Sequence, residues 1–562
     1  MRFLIIGDVH CYGHYVFEAI KQVGKNGPID AVICTGDLTN TGGQIELESV
    51  AAAVKSGLEG IGSTAPFIAA MGNHDYGNKV NSDEENALCR ARFESVVGIP
   101  YCSVTKVKGY TFITFSARNH SANYTEEDYL WLDEQLTIAQ KDGLPAFVVC
   151  HYSSGALGLY GDGGIKSGGP LDDVLQKHPQ AVLLSGHSHA FLANERSFMQ
   201  SPSGYHSINA GSLWQSAKWD NIKGNVVGHY LPVVIVARCD AATLSMERVD
   251  VIQQKNIGKP WVIAPNVDNS LAARAKRAPQ MHFAEGELQL TNIGPRAALI
   301  SYPQASGEVE YYLATATANE GAQITAQFTS YYYLPRESRG SMTIDGLTPD
   351  CDYTLSLCPV DFYGNRGASL TAQFKTAPAA PTFNEVLYDG PILAEMWTGD
   401  TDFIRDEVGF ATDSDDVRPF IISKNSFDLG NSFEVFAHNH RNRYNNSDDD
   451  FSCLQVGRYT AATCRTRDDN RVAILDGWQV GDGNPFQSDR VIAAAKLPYT
   501  IESGTVGLTL RDGVLTMWRD DLPALTVAAE GFSVPVKVAL QLGETWGVFK
   551  NCAYFDRLTV AK

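Results

Sequence analysis

From residue 1 to about residue 250 the chain alternates short apolar runs with longer stretches of mixed polarity. Phe3 to Ile6, Ala31 to Cys34, Pro66 to Ala70, Thr111 to Phe115, Ala146 to Cys150 and Ala181 to Leu184 are too short for helices, and several close directly on Gly, Asp, Asn or His. Continuous apolar runs bounded by turn residues are read as buried strands. Thr125 to Gln140 reads as a helix. Thr125 can cap its N-terminus, acidic residues fill a first turn that favours negative charge, and Tyr129, Leu132 and Leu136 share a face. Strands interleaved with helices predict an α/β layout.

The pattern changes after residue 250. The text becomes irregular, and Ala272-Ala273-Arg274-Ala275-Lys276-Arg277-Ala278-Pro279 reads as a connecting segment. The expected division is a first domain over 1–265, a linker over 266–282, and two further domains over 283–377 and 378–562. Residues 283–377 read as all-β, with strands at Ala297 to Tyr302, Glu308 to Thr317 and Tyr353 to Val360. Leu347-Thr348-Pro349-Asp350-Cys351-Asp352-Tyr353 resembles the tyrosine corner of a fibronectin type III domain, and Val360 to Gly367 resembles that family's F to G turn. Tyr302 stands where many members carry a core Trp. Beyond Thr376-Ala377-Pro378-Ala379-Ala380-Pro381 the chain is again strand-rich, with Asp512-Gly513 as a hairpin turn between Thr505 to Leu510 and Val514 to Trp518. The close, from Val536 to Val560, resembles a laminin-G or concanavalin-like jelly roll. The fold class expected is therefore multidomain, α/β followed by two all-β sandwiches.

Composition narrows the function classes. A chain of 562 residues exceeds the roughly 250 to 300 residues at which single cores stop growing. Hydrophobic residues at 44% and charged residues at 19% fit folded protein rather than disorder. The net charge of −19 argues against an extended nucleic-acid surface, which needs clustered Lys and Arg. No apolar run approaches the roughly 18 to 20 residues of a membrane span. The apolar start Phe3 to Gly7 is broken by Asp8, well short of the roughly 7 to 15 residues of a secretory h-region. The 11 cysteines are an odd number without a C-x-x-C, and Cys34 and Cys150 lie in apolar runs. They read as reduced structural thiols, which points to a cytoplasmic location. Cys351 with Cys358, or Cys453 with Cys464, are the pairs that could form on export.

Five short motifs follow the predicted strands: Gly7-Asp8-Val9-His10, Gly36-Asp37, Gly72-Asn73-His74-Asp75, Cys150-His151 and Gly186-His187-Ser188-His189. In α/β folds the carboxyl ends of strands are where distant loops converge on a ligand. Imidazole and carboxylate donors without thiolate suit first-row ions such as iron, zinc and manganese. Each motif alone has a bland reading, a hydrogen-bonded structural histidine, but the ordered set does not.

Taken together the motifs resemble the calcineurin-like metallophosphoesterase superfamily, whose D-x-H, G-D, G-N-H-D/E, H and G-H-x-H elements are matched in order. The resemblance implies sandwiched β-sheets flanked by helices. It also implies two divalent or trivalent metal ions (Mn, Fe or Zn), with Asp8, His10 and His189 on one ion, Asn73, His151 and His187 on the other, and Asp37 bridging both. His74 would stand beside the substrate as the catalytic histidine, not as a ligand. Asp75 would either orient His74 or close its loop. Paired cations generate hydroxide from water at neutral pH and hold phosphoryl oxygens for in-line attack. The expected activity is thus hydrolysis of a small phosphoester, either a diester or a monoester.

The pocket rim is expected from His14, Asn40, Lys79, Arg118, Asn119, His120 and Lys166, with Asn40 and His120 the leading substrate contacts. Gly155 to Gly169 reads as a lid or as a long surface loop. Asp413 to Asp416 and Asp448 to Asp450 read as solvated acidic loops before calcium sites. Trp478, Trp518 and Trp546 are candidates for a sugar site or for sandwich core. The alternative to catalysis is a silent scaffold that binds proteins or glycans through its C-terminal β domains.

Overall fold

The computed structural model describes all residues except 78–80, 155–168, 215, 220–225, 230, 331, 333–335, 378–384, 407, 413–417, 442–450, 465–470, 498–502, 520–521 and 544–552. In the first unit the apolar runs become β1 (Arg2–Ile6), β2 (Ala31–Cys34), β3 (Phe67–Ala69), β4 (Cys102–Val107), β5 (Tyr110–Phe115), β6 (Ala146–Val149) and β7 (Ala181–Ser185). β8 (Phe198–Gln200), β9 (His206–Asn209), β10 (Ser216–Trp219), β11 (Val226–His229), β12 (Val233–Asp240) and β13 (Thr243–Asp250) follow. β1, β2 and β3 run parallel, and the β12–β13 hairpin extends this sheet antiparallel from the other edge of β1. The second sheet runs β4-β5-β6-β7-β9-β8, parallel through its four central strands.

Helices cover the outer faces. Leu4 and Ile6 of β1 pack with Val16 and Ile20 of α1 (Gly13–Lys25) and Val50 and Val54 of α2 (Gln44–Gly60), while α3 (Asp83–Val97) adds Phe93. Phe3, one residue on, points to the opposite face and meets Phe112 and Phe147 of the second sheet edge-on at 5.4 and 5.2 Å. Ile113 and Phe115 then face Leu132 and Leu136 of α4 (Glu126–Gln140). The result is two sheets face to face with helices outside. Strands covered on both faces need apolar residues at every position, which is why their sequences read as unbroken runs.

Thr125 caps α4: its hydroxyl accepts from the Asp128 amide, and the Asp128 carboxylate accepts from the Thr125 amide at 2.7 Å. Further on, α5 (Pro170–Leu175) packs in the same core as α4, and α6 (Leu271–Arg277) forms within the stretch expected to be a connector. The Arg274 guanidinium on α6 donates to the Glu195 carbonyl at 2.9 Å and pairs with the Glu195 carboxylate. Contacts divide the chain into Met1–Pro279 with Phe362–Asn365, and Gln280–Asp361 with Arg366–Lys562.

The second unit holds two β-sandwiches. In the first, a three-stranded and a four-stranded sheet enclose Ile300, Tyr302, Tyr312, Leu355 and Leu357. The Tyr353 hydroxyl accepts from the Thr348 amide at 2.9 Å, which ties the Leu347 to Tyr353 corner. In the second, an eight-stranded and a seven-stranded sheet enclose Phe433, Val435, Leu454, Leu508, Leu540 and Phe555. Asp512 and Gly513 both take positive φ, 50° and 72°, as a two-residue hairpin turn between Arg511 and Val514 requires.

Trp478 is core rather than surface, with 2% exposure, so it does not line a sugar site. Trp518 donates from Nε1 to Thr509 at 2.7 Å. Cys351, Cys358 and Cys453 are free thiols, so neither of the two expected pairs is formed. Among the described residues no helix is long and apolar enough to cross a membrane. The stretch Gly155 to Lys166, Lys79, both acidic clusters and Trp546 lie outside the described residues.

Candidate metal centre

The loops leaving β1, β2, β3, β6 and β7 bring seven side chains together at the carboxyl ends of both sheets. Asp8, His10, Asp37, His187 and His189 all adopt positive φ, between 45° and 67°. For residues with a Cβ this left-handed backbone costs about 1 to 3 kcal/mol each and persists only where the surroundings impose it. Here neighbouring loops do so: the His10 amide donates to the Asp37 carbonyl at 3.0 Å, and the His187 amide to the Asp8 carboxylate at 3.0 Å. The sharp turns let Asp8 and His10, and again His187 and His189, contribute side chains from positions only two apart.

Among the described residues, one donor group comprises Asp8, His10, Asp37 and His189, and a second comprises Asp37, His151 and His187, each with ligand atoms within 4.8 Å of one another. Asp37 belongs to both. Its Oδ2 lies 3.6 Å from His10 Nε2 and 3.3 Å from His151 Nε2. Asn73 joins the second group, with Oδ1 3.0 Å from both His151 Nε2 and His187 Nδ1. His10 Nε2 and His189 Nε2 are 3.2 Å apart.

Partners behind the donors set their orientation. His151 Nδ1 donates to the Thr35 carbonyl at 3.1 Å, so Nε2 faces the cluster, and His10 Nδ1 is 3.0 Å from Asn40 Oδ1. Such outer contacts fix the tautomer and ring plane of a metal-binding imidazole. Burial, with the neighbouring His189, pulls His10 down to about 3, and burial with His151 pulls His187 down to about 3. Both rings are neutral near pH 7, with lone pairs available to a cation. Burial opposes charge on His151 as well, but Asp37 outweighs it and pushes the ring up to about 9. Burial works against the Asp37 charge, yet His151 and His10 hold its carboxyl well below the usual carboxylate range. Mixed imidazole, carboxylate and amide-oxygen donors fit first-row divalent ions.

The remaining candidates fall in distinct places. His74 sits beside the first group, its ring 4.6 Å from that of His10, its amide donating to Asp37 Oδ1 at 2.8 Å and its Nδ1 to the Asn40 carbonyl at 2.9 Å. Asp75 is buried and accepts from the Thr39 amide and hydroxyl and the Gly72 amide at 2.9 to 3.1 Å. Asn40 thus touches both His10 and His74. His120 is further out, its carbonyl accepting from the Tyr152 hydroxyl at 2.8 Å, and the Tyr152 ring lies 4.9 Å from that of His187. Arg118 is engaged by Asp128 through two contacts of 2.7 and 2.8 Å, and the Asn119 side chain accepts from the Ser121 amide. The His14 ring packs on Tyr15 at 4.0 Å. Trp214, which no motif marks, lies 4.5 Å from the His10 ring and 5.5 Å from that of His189.

Comparison with known proteins matches residues 1–191 to the calcineurin-like phosphoesterase family. No curated protein matches significantly. Among solved structures the chain is similar to a dimetal phosphatase from Danio rerio, at 13% identity and TM-score 0.35 over 47% of this chain and 98% of that one. It is also similar to the fn3 domain of human contactin 1 (18% identity, TM-score 0.16, 21% and 91% covered). A third similarity is to the carbohydrate recognition domain of Emp46p (10% identity, TM-score 0.24, 30% and 88% covered). The N-terminal match implies divalent metal ions at a centre of this kind.

Proposed function

We propose that this chain, a phosphoesterase by its calcineurin-like N-terminal domain, hydrolyses a small phosphoester with two metal ions held by the cluster described above. In this reading Asp8, His10 and His189 hold one ion, Asn73, His151 and His187 hold the other, and Asp37 reaches both. The observation that carries it is the position of Asp37, whose Oδ2 faces an imidazole nitrogen of each group at 3.6 and 3.3 Å. Manganese, iron and zinc all suit this donor set. When bound, two such ions supply Lewis acidity that lowers the pKa of water towards about 7 and neutralises phosphoryl charge.

The chain's own residues do the rest. His74 is anchored through Nδ1–H to the Asn40 carbonyl, so that in the imidazolium form Nε2–H can donate to a phosphoryl oxygen or give its proton to the leaving oxygen. Asn40 acts as a positioning residue for two histidines at once, and Asp75 closes the loop that carries His74. His120 stands at the rim through Tyr152. Protein loaded with manganese should hydrolyse bis-p-nitrophenyl phosphate or the p-nitrophenyl monoester, and His74→Ala and Asp37→Ala should each lose that activity. Undiminished wild-type turnover after thorough chelation sinks the reading.

We further propose that the two β-sandwiches are a fibronectin type III-like module and a jelly roll serving recognition of a protein or glycan. The tied corner at Tyr353 supports the first assignment. Glycan arrays and pull-downs with the full chain test the role, and silence in both counts against it.

A further inference from the structure

Strand Phe433–Arg441 lies between Ser503–Arg511 and Ala553–Ala561 in the eight-stranded sheet. Phe433, Val435, Ala437 and Asn439 point into the core and are fully buried, so the alternate residues His438 and His440 share the outer face. On the neighbouring strand Phe555 and Leu558 are both buried, yet two residues separate them, which strict alternation does not allow. A bulge accounts for this: pairing passes from His438 with Arg557 to Asn439 with Phe555, and Asp556 is the extra residue. Bulges re-aim side chains, and this one turns both Asp556 and Arg557 outward. Arg557 is taken up by Asp389 at 2.9 Å. Asp556 meets the histidines: Oδ1 lies 3.0 Å from His438 Nδ1, and Oδ2 lies 2.9 Å from His440 Nε2.

The two imidazole nitrogens are themselves 3.1 Å apart, so three donor atoms converge on one point from two strands. Bonds of about 2.0 to 2.1 Å to a tetrahedral zinc ion set its donors roughly 3.3 Å apart, close to these separations. Tyr554 stacks on His440 with centroids 4.5 Å apart and holds its plane. All three side chains are partly exposed, so an ion here would keep a face open to water or to an outside ligand. Two imidazoles favour a transition ion over calcium or magnesium, which prefer oxygen. We propose that His438, His440 and Asp556 form a binding site for a divalent transition-metal ion such as zinc, built from residues the phosphoesterase centre does not use.

Full-length protein stripped of metal and reloaded with zinc tests this by elemental analysis. His440→Ala and Asp556→Asn should each bind one equivalent fewer than wild type while retaining p-nitrophenyl ester hydrolysis. Unchanged stoichiometry in both overturns the site. Should the variants fail to fold, wild-type protein gives the answer by itself. Zinc at about ninefold excess over Kd fills about 90% of sites and should slow diethyl pyrocarbonate labelling of His438 and His440 about tenfold, with exposed His282 as control. Equal labelling with and without zinc also overturns the proposal.

Discussion

Asp75 and His206 are both buried and ionisable, and among the described residues both lie outside the candidate donor groups. Asp75 receives three hydrogen bonds from Thr39 and Gly72. Asp75→Asn keeps the shape but turns an NH2 group towards these donors, and a buried polar atom left unpaired costs about 1 to 3 kcal/mol. The variant should melt earlier by calorimetry, while His74→Asn should melt like wild type and lose about 10² to 10⁴ in kcat. His206 is drawn down to about 4 by burial. An unfolded histidine takes a proton near pH 6.5, so stability from this group is whole above that pH and is lost as pH falls towards 4. The loss is on the order of 3 kcal/mol. His206→Phe, which keeps the stack on Phe198, should flatten this limb of a melting-temperature profile between about pH 6.5 and 4. At this scale the sequence shows its candidate donors when they sit at strand ends in short motifs, as Asp8, His10 and Asp37 do. It hides those assembled across the fold. Trp214 has no spacing signal, the contact of the Asn40 side chain with His10 has none either, and His438 meets Asp556 through a bulge 118 residues away.

The turns after the strands hold the donors, and their glycines make room for them. A Cβ on Gly72 would fall 2.6 Å from the Asp37 amide nitrogen and closer still to its carboxylate, which must shift. Gly72→Ala removes no donor, yet it should weaken metal binding, by about 10- to 100-fold if displacing Asp37 acts like loss of an orienting partner. Titration of stripped protein with manganese measures it, and unchanged affinity would show that the carboxylate can move without consequence. The strands bearing these turns were legible because both their faces are covered, giving unbroken apolar runs. So was α4, through Thr125 and its acidic first turn. Two other helices were harder to see: α1 and α2 begin at Tyr12 and Gly43, neither of which supplies a side-chain cap. The β12–β13 hairpin lacks an Asn-Gly or Asp-Gly signal, and Ala241 takes the positive φ, 49°, that a glycine would have announced.

For the molecule as a whole, the question is where the catalytic unit ends. Among the described residues, the candidate donors and the rings packed on them lie between Asp8 and Trp214. Stability sets a different limit. Glu195 is buried, pairs with Arg248 at 2.7 Å, accepts from Trp261 Nε1 at 2.9 Å, and is reached by Arg274 from α6. Stopping at residue 265 removes Arg274 and leaves the Glu195 carbonyl and carboxylate short of a partner. Breaking a buried ion pair on one side costs about 3 to 5 kcal/mol. A chain ending at Pro279 retains the Arg274 pair and gives up the Tyr363 hydroxyl, which donates to Glu195 Oε2 at 3.2 Å. Residues 1–279 should therefore match the full chain in kcat/KM on a p-nitrophenyl ester, and residues 1–265 should melt several degrees lower with the same metal content per folded molecule. Glu195→Ala in the full chain should reproduce that loss, because it strands two buried guanidinium groups. Equal melting temperatures for the two truncations would mean that Arg248 and Trp261 satisfy Glu195 without Arg274, and that α6 is a connector despite its contacts.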